Sequence, residues 1–337
     1  MPFPTPRDFK NRIPLSPSHK EFIQTSRHTI ERILNRTDTR IAIIAGPCSI
    51  HNIKSALEYA RRFKKLASEV ADAFYLVMRV YVEKPRTAPD WKGFLYDPDL
   101  VGTDDVEKGI ALTRELMAAI TDIGVPIATE FLDPMTAPFF AEFASWGFIG
   151  ARTSASQPHR QLGSLLQMPI GFKNGVDGNV EQAIFAVESA RLPQKILSVG
   201  DDGRLSAIHT QGNPLSHVVL RGGIAGPNYD ADSVRSALSK LTLLGIDSPL
   251  IIDCSHGNSE RDFRKQKDVF RDVMEQIEAG NNAIAGVMLE SHLEEGNQFA
   301  TSGFAPSVSI TDPCLDWAST EELVLSSSSR LMSLTQS

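Results

Sequence analysis

The sequence predicts an α/β fold, a (β/α)8 TIM barrel with an N-terminal extension and a β-hairpin inserted between its fifth helix and sixth strand. Three observations carry that expectation. Short apolar runs alternate with longer stretches of helical periodicity, and strict alternation of this kind implies parallel strands wrapped by helices. There are eight such units, the number that closes a barrel, whereas the length of 337 residues leaves one large barrel or two average domains equally open. Polar residues with chemical capability follow each apolar run, at the strand ends where barrels of this type build their sites.

The elements follow in order. Five prolines in the first 17 residues predict an extended arm that packs on a neighbouring element or another subunit, followed by a helix over 19–35. Residues 1–38 are therefore read as arm and helix, and 39–337 as the barrel. Strands are predicted at 41–45, 74–78, 126–129, 148–150, 169–172, 217–220, 250–252 and 283–289, and helices include 53–70, 104–123, 181–190, 231–244 and 261–279. One segment, 194–216, breaks the rhythm. Runs at 195–199 and 205–209 flank the turn-like Gly200-Asp201-Asp202-Gly203 and read as a hairpin outside the barrel.

Composition narrows the function class. With 42% hydrophobic and 22% charged residues the chain can fill a large core, and a net charge of −7 disfavours nucleic acid and anionic membrane as partners. No run approaches the ~18 apolar residues of a membrane span and the first 40 residues are too polar for a signal peptide, so a cytoplasmic location is expected. Three cysteines, Cys48, Cys254 and Cys314, fit a reducing compartment better than a disulfide framework.

Two sets of residues stand out after the strands. Arg79, Lys84, Arg86, Arg152, Lys173 and Arg221 would place six positive charges on one rim, a cluster suited to phosphate and carboxylate oxygens. Taken alone, the stretch holding Arg79, Lys84 and Arg86 reads more readily as a solvated basic loop, and only the other strand ends weigh against that. Cys48, His256, Glu290 and Asp312 form the second set. Mixed sulfur, nitrogen and oxygen donors suit Mn, Fe, Co or Zn, although a buried thiol beside a hydrogen-bonded histidine is an equally good account of the residue types.

Motif by motif, the chain resembles the class I 3-deoxy-D-arabino-heptulosonate 7-phosphate (DAHP) synthases of the microbial Phe/Tyr/Trp-regulated branch. The resemblance runs through Gly46-Pro47-Cys48-Ser49-Ile50-His51, Met78-Arg79-Val80-Tyr81, Glu83-Lys84-Pro85-Arg86-Thr87 and Trp91-Lys92-Gly93. It continues through Glu130-Phe131-Leu132-Asp133, Gly150-Ala151-Arg152-Thr153, Gly171-Phe172-Lys173-Asn174-Gly175 and Leu220-Arg221-Gly222-Gly223. Asp253-Cys254-Ser255-His256, Glu290-Ser291-His292-Leu293 and Ile310-Thr311-Asp312 complete it.

The resemblance implies condensation of phosphoenolpyruvate with erythrose 4-phosphate, releasing phosphate, at the head of the shikimate pathway to aromatic amino acids. It implies one divalent metal ion on Cys48, His256, Glu290 and Asp312, and phosphoenolpyruvate held by Arg79, Lys84, Arg152, Lys173 and Arg221. The acceptor falls to Lys84, Pro85, Arg86 and Thr87, and proton handling to Lys84, Glu130 and His256. Ser198, in the hairpin, matches a residue near an aromatic effector, and a homodimer or homotetramer is expected. The alternatives are a related phosphoenolpyruvate–aldose phosphate synthase, against which Lys84-Pro85-Arg86-Thr87 speaks, and a catalytically silent effector-binding paralogue. Ala155 and the 96–107 segment depart from the family pattern.

Overall fold

The computed structural model describes residues 3–86, 90–299 and 303–335. Helices α1 (Pro6–Arg12) and α2 (Pro17–Leu34) precede the barrel. The expected extended arm is thus corrected: its prolines start helices instead of preventing them. Pro6 and Pro17 occupy first-turn positions, where a missing N–H costs nothing. Thr5 and Asp8 close a reciprocal capping box around α1, and Ser16 caps α2 through the His19 N–H. The short α1 lies against its own chain. Phe9 is buried edge-on to Phe139, and the Arg7 N–H donates to the Asp201 carbonyl in the inserted hairpin.

The barrel is built from β1 (Ile41–Gly46), α3 (Ile53–Glu69), β2 (Phe74–Arg79), α4 (Val106–Ile123), β3 (Ile127–Glu130), α5 (Ala137–Phe140), β4 (Trp146–Ile149) and α6 (Gln157–Leu165). It continues through β5 (Ile170–Lys173) and α7 (Glu181–Arg191) to the hairpin β6 (Lys195–Val199) and β7 (Leu205–His209). After the hairpin come β8 (Ser216–Leu220), α8 (Ala231–Leu243), β9 (Leu250–Asp253), α9 (Gln266–Glu278), β10 (Ile284–Glu290) and α10 (Trp317–Thr335). Strands β1, β2, β3, β4, β5, β8, β9 and β10 pair in that circular order, all parallel, and β10 closes on β1. The hairpin stands apart as a two-stranded antiparallel ribbon with Ser198 opposite Ser206.

Alternation along each strand divides the core. In β1, Ala42 and Ile44 join Val77, Trp146, Phe148, Val219 and Met288 in the interior cluster, while Ile43 and Ala45 pack outward with the helices. Ile30, Ile33 and Leu34 of α2 belong to the interior cluster, so α2 plugs one mouth of the barrel. On the outer layer, α3 buries Ala56, Tyr59, Ala60, Phe63 and Leu66, a stripe at spacings of three and four. Burying a side chain the size of Phe63 contributes about 1.5–3 kcal/mol.

Most boundaries shift by a residue or two, and two shifts have a definite local cause. β4 begins at Trp146, two residues early, because Trp146 faces the interior and donates its indole N–H to His217. The helix expected from 261 starts at Gln266, since Arg261 adopts a left-handed φ of 66° and Asp262 caps a single 3₁₀ turn.

Candidate active site

The carboxyl ends of seven barrel strands, β2 to β5 and β8 to β10, line a single cleft of about 1250 Å³, its open mouth included, and Cys48, after β1, meets it through Lys84 and Asp312. Arg79, Lys84, Pro85, Arg86, Glu130, Arg152, Lys173, Arg221, His256, Glu290 and Asp312 all border it, as the strand-end reading expects. Thr87 lies outside the described residues. Ser198 sits in the hairpin, not on this cleft.

Each side chain is delivered by a definable local structure. Arg79 ends β2 almost fully buried, its guanidinium 4.0 Å over the Tyr81 ring and its Nη2 donating to Glu290 Oε1 at 3.1 Å. Past the strand, Lys84 turns back so that its Nζ donates to Cys48 Sγ (3.0 Å) and to the Cys48 carbonyl (3.3 Å). Arg86 is tied nearer the mouth, to the Trp91 carbonyl and Asp90. Glu130 ends β3 and meets β4 at Gly150, where even a methyl group would overlap its Oε1. Glycine is therefore required opposite this carboxylate.

The other wall is an amide lattice. Asn174 accepts from the Arg221 N–H (2.8 Å) and donates to the Gly222 carbonyl (2.9 Å), and Asn228 bridges Gly222 to Asn258. Asn258 donates to the Leu220 and Asp253 carbonyls, while the Gly257 N–H donates to the Arg221 carbonyl. At Gly222, φ is 67° and any Cβ would strike the Gly257–Asn258 backbone, so the loops after β8 and β9 interlock. Lys173, Arg221 and His256 are held in one register by these contacts.

Asp253, fully buried at the end of β9, takes a salt bridge from Lys173 Nζ (2.8 Å) and the Ser255 hydroxyl (2.6 Å). It also accepts the Ser255 N–H (3.0 Å) and meets His256 Nδ1 at 3.0 Å. With Asp253 accepting, Nδ1 carries the imidazole proton and Nε2 is free as a donor atom. Lys173 and His256 hold the Asp253 carboxyl well below the usual carboxylate range, against the opposing effect of burial.

Three of the four expected ligand groups, on Cys48, Glu290 and Asp312, have donor atoms within 4.8 Å of one another. His256 is outside that mutually close set, its Nε2 lying 3.8 Å from Glu290 Oε1. Burial, reinforced by Glu290, pushes the Cys48 thiol up to about 12. Burial also opposes the charge on Lys84, yet Cys48, Asp312 and Glu290 outweigh it and leave that ammonium firmly protonated. A cation coordinated here would relieve the crowding of thiol and carboxylates, so the donor set fits a divalent ion of the borderline class.

The expectation of six unpaired cations needs correction. Arg79 pairs with Glu290, Arg86 with Asp90 and Lys173 with Asp253, and Lys84 donates to Cys48. Among the described residues, Arg152 has no acidic partner and Arg221 donates only to the Gly222 carbonyl. Several residues here carry no role in the sequence reading. Asp253 enters it only as a strand-end carboxylate. Gln266, Asn228, Asn258 and Arg261 lie beyond strand ends, and their convergence depends on loop geometry that no periodicity signals. Gln266 is fully buried, taking the Glu290 N–H (2.9 Å) and donating to the Glu290 carbonyl (3.2 Å). The divergent 96–107 segment is ordered by its own contacts: Asp97 accepts the Val101 and Gly102 N–H groups, and Tyr96 donates to Asp133.

Comparison with known proteins agrees with the geometry. Residues 14–325 match the model of the DAHP synthetase I family. The Tyr-sensitive phospho-2-dehydro-3-deoxyheptonate aldolase of Salmonella typhimurium is 45% identical over 323 residues, covering 95% of this chain and 90% of that one. The Trp-sensitive enzyme of Enterobacter agglomerans is 46% identical over 323 residues, covering 95% and 92%. Among solved structures, phospho-2-dehydro-3-deoxyheptonate aldolase from Francisella tularensis SCHU S4 superposes with a TM-score of 0.96 at 41% identity, over 98% of this chain and 97% of that one.

Proposed function

The chain belongs to the DAHP synthetase I family, and from that premise we infer how its cleft condenses phosphoenolpyruvate with D-erythrose 4-phosphate to give DAHP and phosphate. The observation that carries the reading is the meeting of unpaired guanidinium groups with a thiol–carboxylate cluster on one rim.

Arg152, Lys173, Arg221 and Arg79 grip phosphoenolpyruvate, whose phosphate and carboxylate match planar guanidinium forks. Lys84, Pro85, Arg86 and Thr87 receive the acceptor. Cys48, His256, Glu290 and Asp312 would hold one Mn, Fe, Co or Zn ion, which as a Lewis acid polarises the acceptor aldehyde. The residues hold C3 of phosphoenolpyruvate against that aldehyde carbon, so that the carbon–carbon bond forms within a preset geometry. Lys84, charged and beside Cys48, gives its proton to the alkoxide that the aldehyde oxygen becomes as that bond forms. Positive charge then appears at C2 and is quenched by water. Glu130, in the cleft and without a hydrogen-bond partner among the described residues, accepts a proton from that water, while His256, its Nδ1 on Asp253 and its Nε2 turned to the metal-ligand cluster, takes part as a ligand. Collapse of the tetrahedral intermediate expels phosphate toward Arg152 and Arg221.

Regulation and assembly belong to the same reading. The hairpin around Ser198 receives an aromatic amino acid effector, and the chain works as a homodimer or homotetramer in the cytoplasm. No helix among the described residues is long and apolar enough to cross a membrane.

The deciding assay is phosphate release from phosphoenolpyruvate with erythrose 4-phosphate, compared with arabinose 5-phosphate, with and without chelator. Release only with erythrose 4-phosphate, lost on chelation and restored by Mn, Fe, Co or Zn, is expected. Equal turnover with arabinose 5-phosphate, or full activity in chelator, would overturn the substrate or metal assignment respectively.

A further inference from the structure

Arg261 borders the cleft without having been marked by any sequence motif. Its backbone is unusual. His256, Glu260 and Arg261 all have left-handed φ values, of 59°, 53° and 66°, in one loop of six residues, and the Arg261 N–H closes that loop on the His256 carbonyl at 2.8 Å. Left-handed geometry at non-glycine residues costs free energy and gathers where structure holds a side chain for use.

The charge map says what that use is. The cleft is bordered by seven cationic side chains, and four of them have an anionic group or thiol within the chain: Arg79, Lys84, Arg86 and Lys173. The three without one among the described residues are Arg152, Arg221 and Arg261. The acids beside Arg261 are engaged elsewhere, Glu260 with Lys265 and Asp262 with the Arg264 N–H. Burial lowers the proton affinity of Arg221 most; the Asp253 carboxylate, already paired with Lys173, opposes this without bonding Arg221, and the positive charges of Arg152 and Arg261 add to the lowering, so Arg221 feels both other guanidinium groups. Such a trio is stable when a multiply charged anion lies among its members, and the forked donors of arginine match phosphate oxygens.

We propose that Arg261 is a third guanidinium of the phosphate cradle, meeting the phosphoryl group of phosphoenolpyruvate, and then the departing phosphate, together with Arg152 and Arg221. The proposal rests on the assignment of Arg152 and Arg221 to phosphoenolpyruvate made above. It adds a loop that carries His256 at one end and a phosphate contact at the other, so the anion and the metal-ligand end of the cleft share one backbone segment.

Arg261→Gly and Arg261→Gln test it, with Arg152→Ala as reference. Glycine is at ease at φ 66°, so a loss shared by both variants comes from the guanidinium and not from the backbone. In both, KM for phosphoenolpyruvate should rise about 3- to 10-fold, since the group is exposed at the mouth and partly screened. Competitive inhibition by inorganic phosphate should weaken in parallel, while KM for erythrose 4-phosphate changes less than about twofold. The inference is overturned if Arg152→Ala raises KM for phosphoenolpyruvate but both Arg261 variants match the parent enzyme. It is equally overturned if only the glutamine variant loses affinity, or if KM for erythrose 4-phosphate alone rises. If Arg152→Ala itself leaves phosphoenolpyruvate binding unchanged, the underlying assignment of the cradle fails instead.

Discussion

The ammonium of Lys84 donates to the sulfur of Cys48 at 3.0 Å, which places the proton donor proposed for the new hydroxyl directly on one of the proposed metal ligands. Lys84→Ala should therefore lower kcat by about 10²- to 10⁴-fold, the range for losing a positioned general acid. Metal content measured on the purified variant should stay near one ion per chain. Wild-type turnover by Lys84→Ala would remove Lys84 from the chemistry.

Gly150 leaves room for the Glu130 carboxylate. Gly150→Ala should displace that carboxylate, at small cost in stability because the clash falls on the far end of a flexible side chain, and lower kcat at least about tenfold. In a Glu130→Ala background the same substitution should cost little, because the clash is gone. A double-mutant cycle in kcat reads this directly, and strictly additive effects would refute the pairing.

Glu83, adjacent to Lys84, is buried, and burial raises its carboxyl to about 8, against the lowering effect of its bonds from the Thr136 hydroxyl and Leu132 N–H. The native state then keeps a proton that the unfolded chain releases near 4.5, the ordinary glutamate value. Its contribution to stability is full below about 4.5, declines as pH rises from 4.5 to 8, and is gone above that. The slope from this one group is at most about 1.4 kcal/mol per pH unit. Glu83→Gln should flatten the pH dependence of denaturant unfolding between pH 5 and 8, taken as about one proton's worth of linkage. An unchanged slope in that variant would exclude a raised Glu83.

Gln266 reads both backbone groups of Glu290. Gln266→Ala leaves the buried Glu290 N–H unpaired, worth about 1–3 kcal/mol of stability, while the Glu290 carbonyl keeps the Leu315 N–H. Glu290 is also a proposed ligand, so metal affinity measured by titration calorimetry should fall about 10- to 100-fold. Destabilisation with unaltered metal affinity would confine Gln266 to a structural role.

The barrel was legible because its strands are continuous apolar runs buried on both faces, a signal that survives without any knowledge of loops. The 41–45 run and β1, Ile41–Gly46, differ by one residue. What escaped reading depends on backbone states that composition does not encode. Pro6 and Pro17 read as breakers because their N-cap partners, Thr5 and Ser16, are ordinary residues in an ordinary arm. Arg261 read as the first residue of a helix, and only its left-handed φ turns it toward the cleft. The candidate site was half visible: strand-end position located Arg79, Lys173, Asn174 and Glu290, whereas Asn228 and Asn258, which complete the lattice around Arg221 and His256, lie well into loops, in types common to any surface turn. Charge counting from sequence overstated the free positive charge, because Asp253 sits across the barrel from the lysine it neutralises.

The interlock of Gly222 with the Gly257–Asn258 backbone has a consequence for how this enzyme can diverge. Neither glycine can acquire a side chain without parting two main chains, so a change in one loop has no single compensating change in the other. The wall bearing Arg221 and His256 is in that sense frozen: drift there meets a barrier of at least two simultaneous steps. Change in what the cleft accepts has to enter elsewhere, through side chains such as Lys84 and Arg86 that, among the described residues, no such backbone contact holds in place.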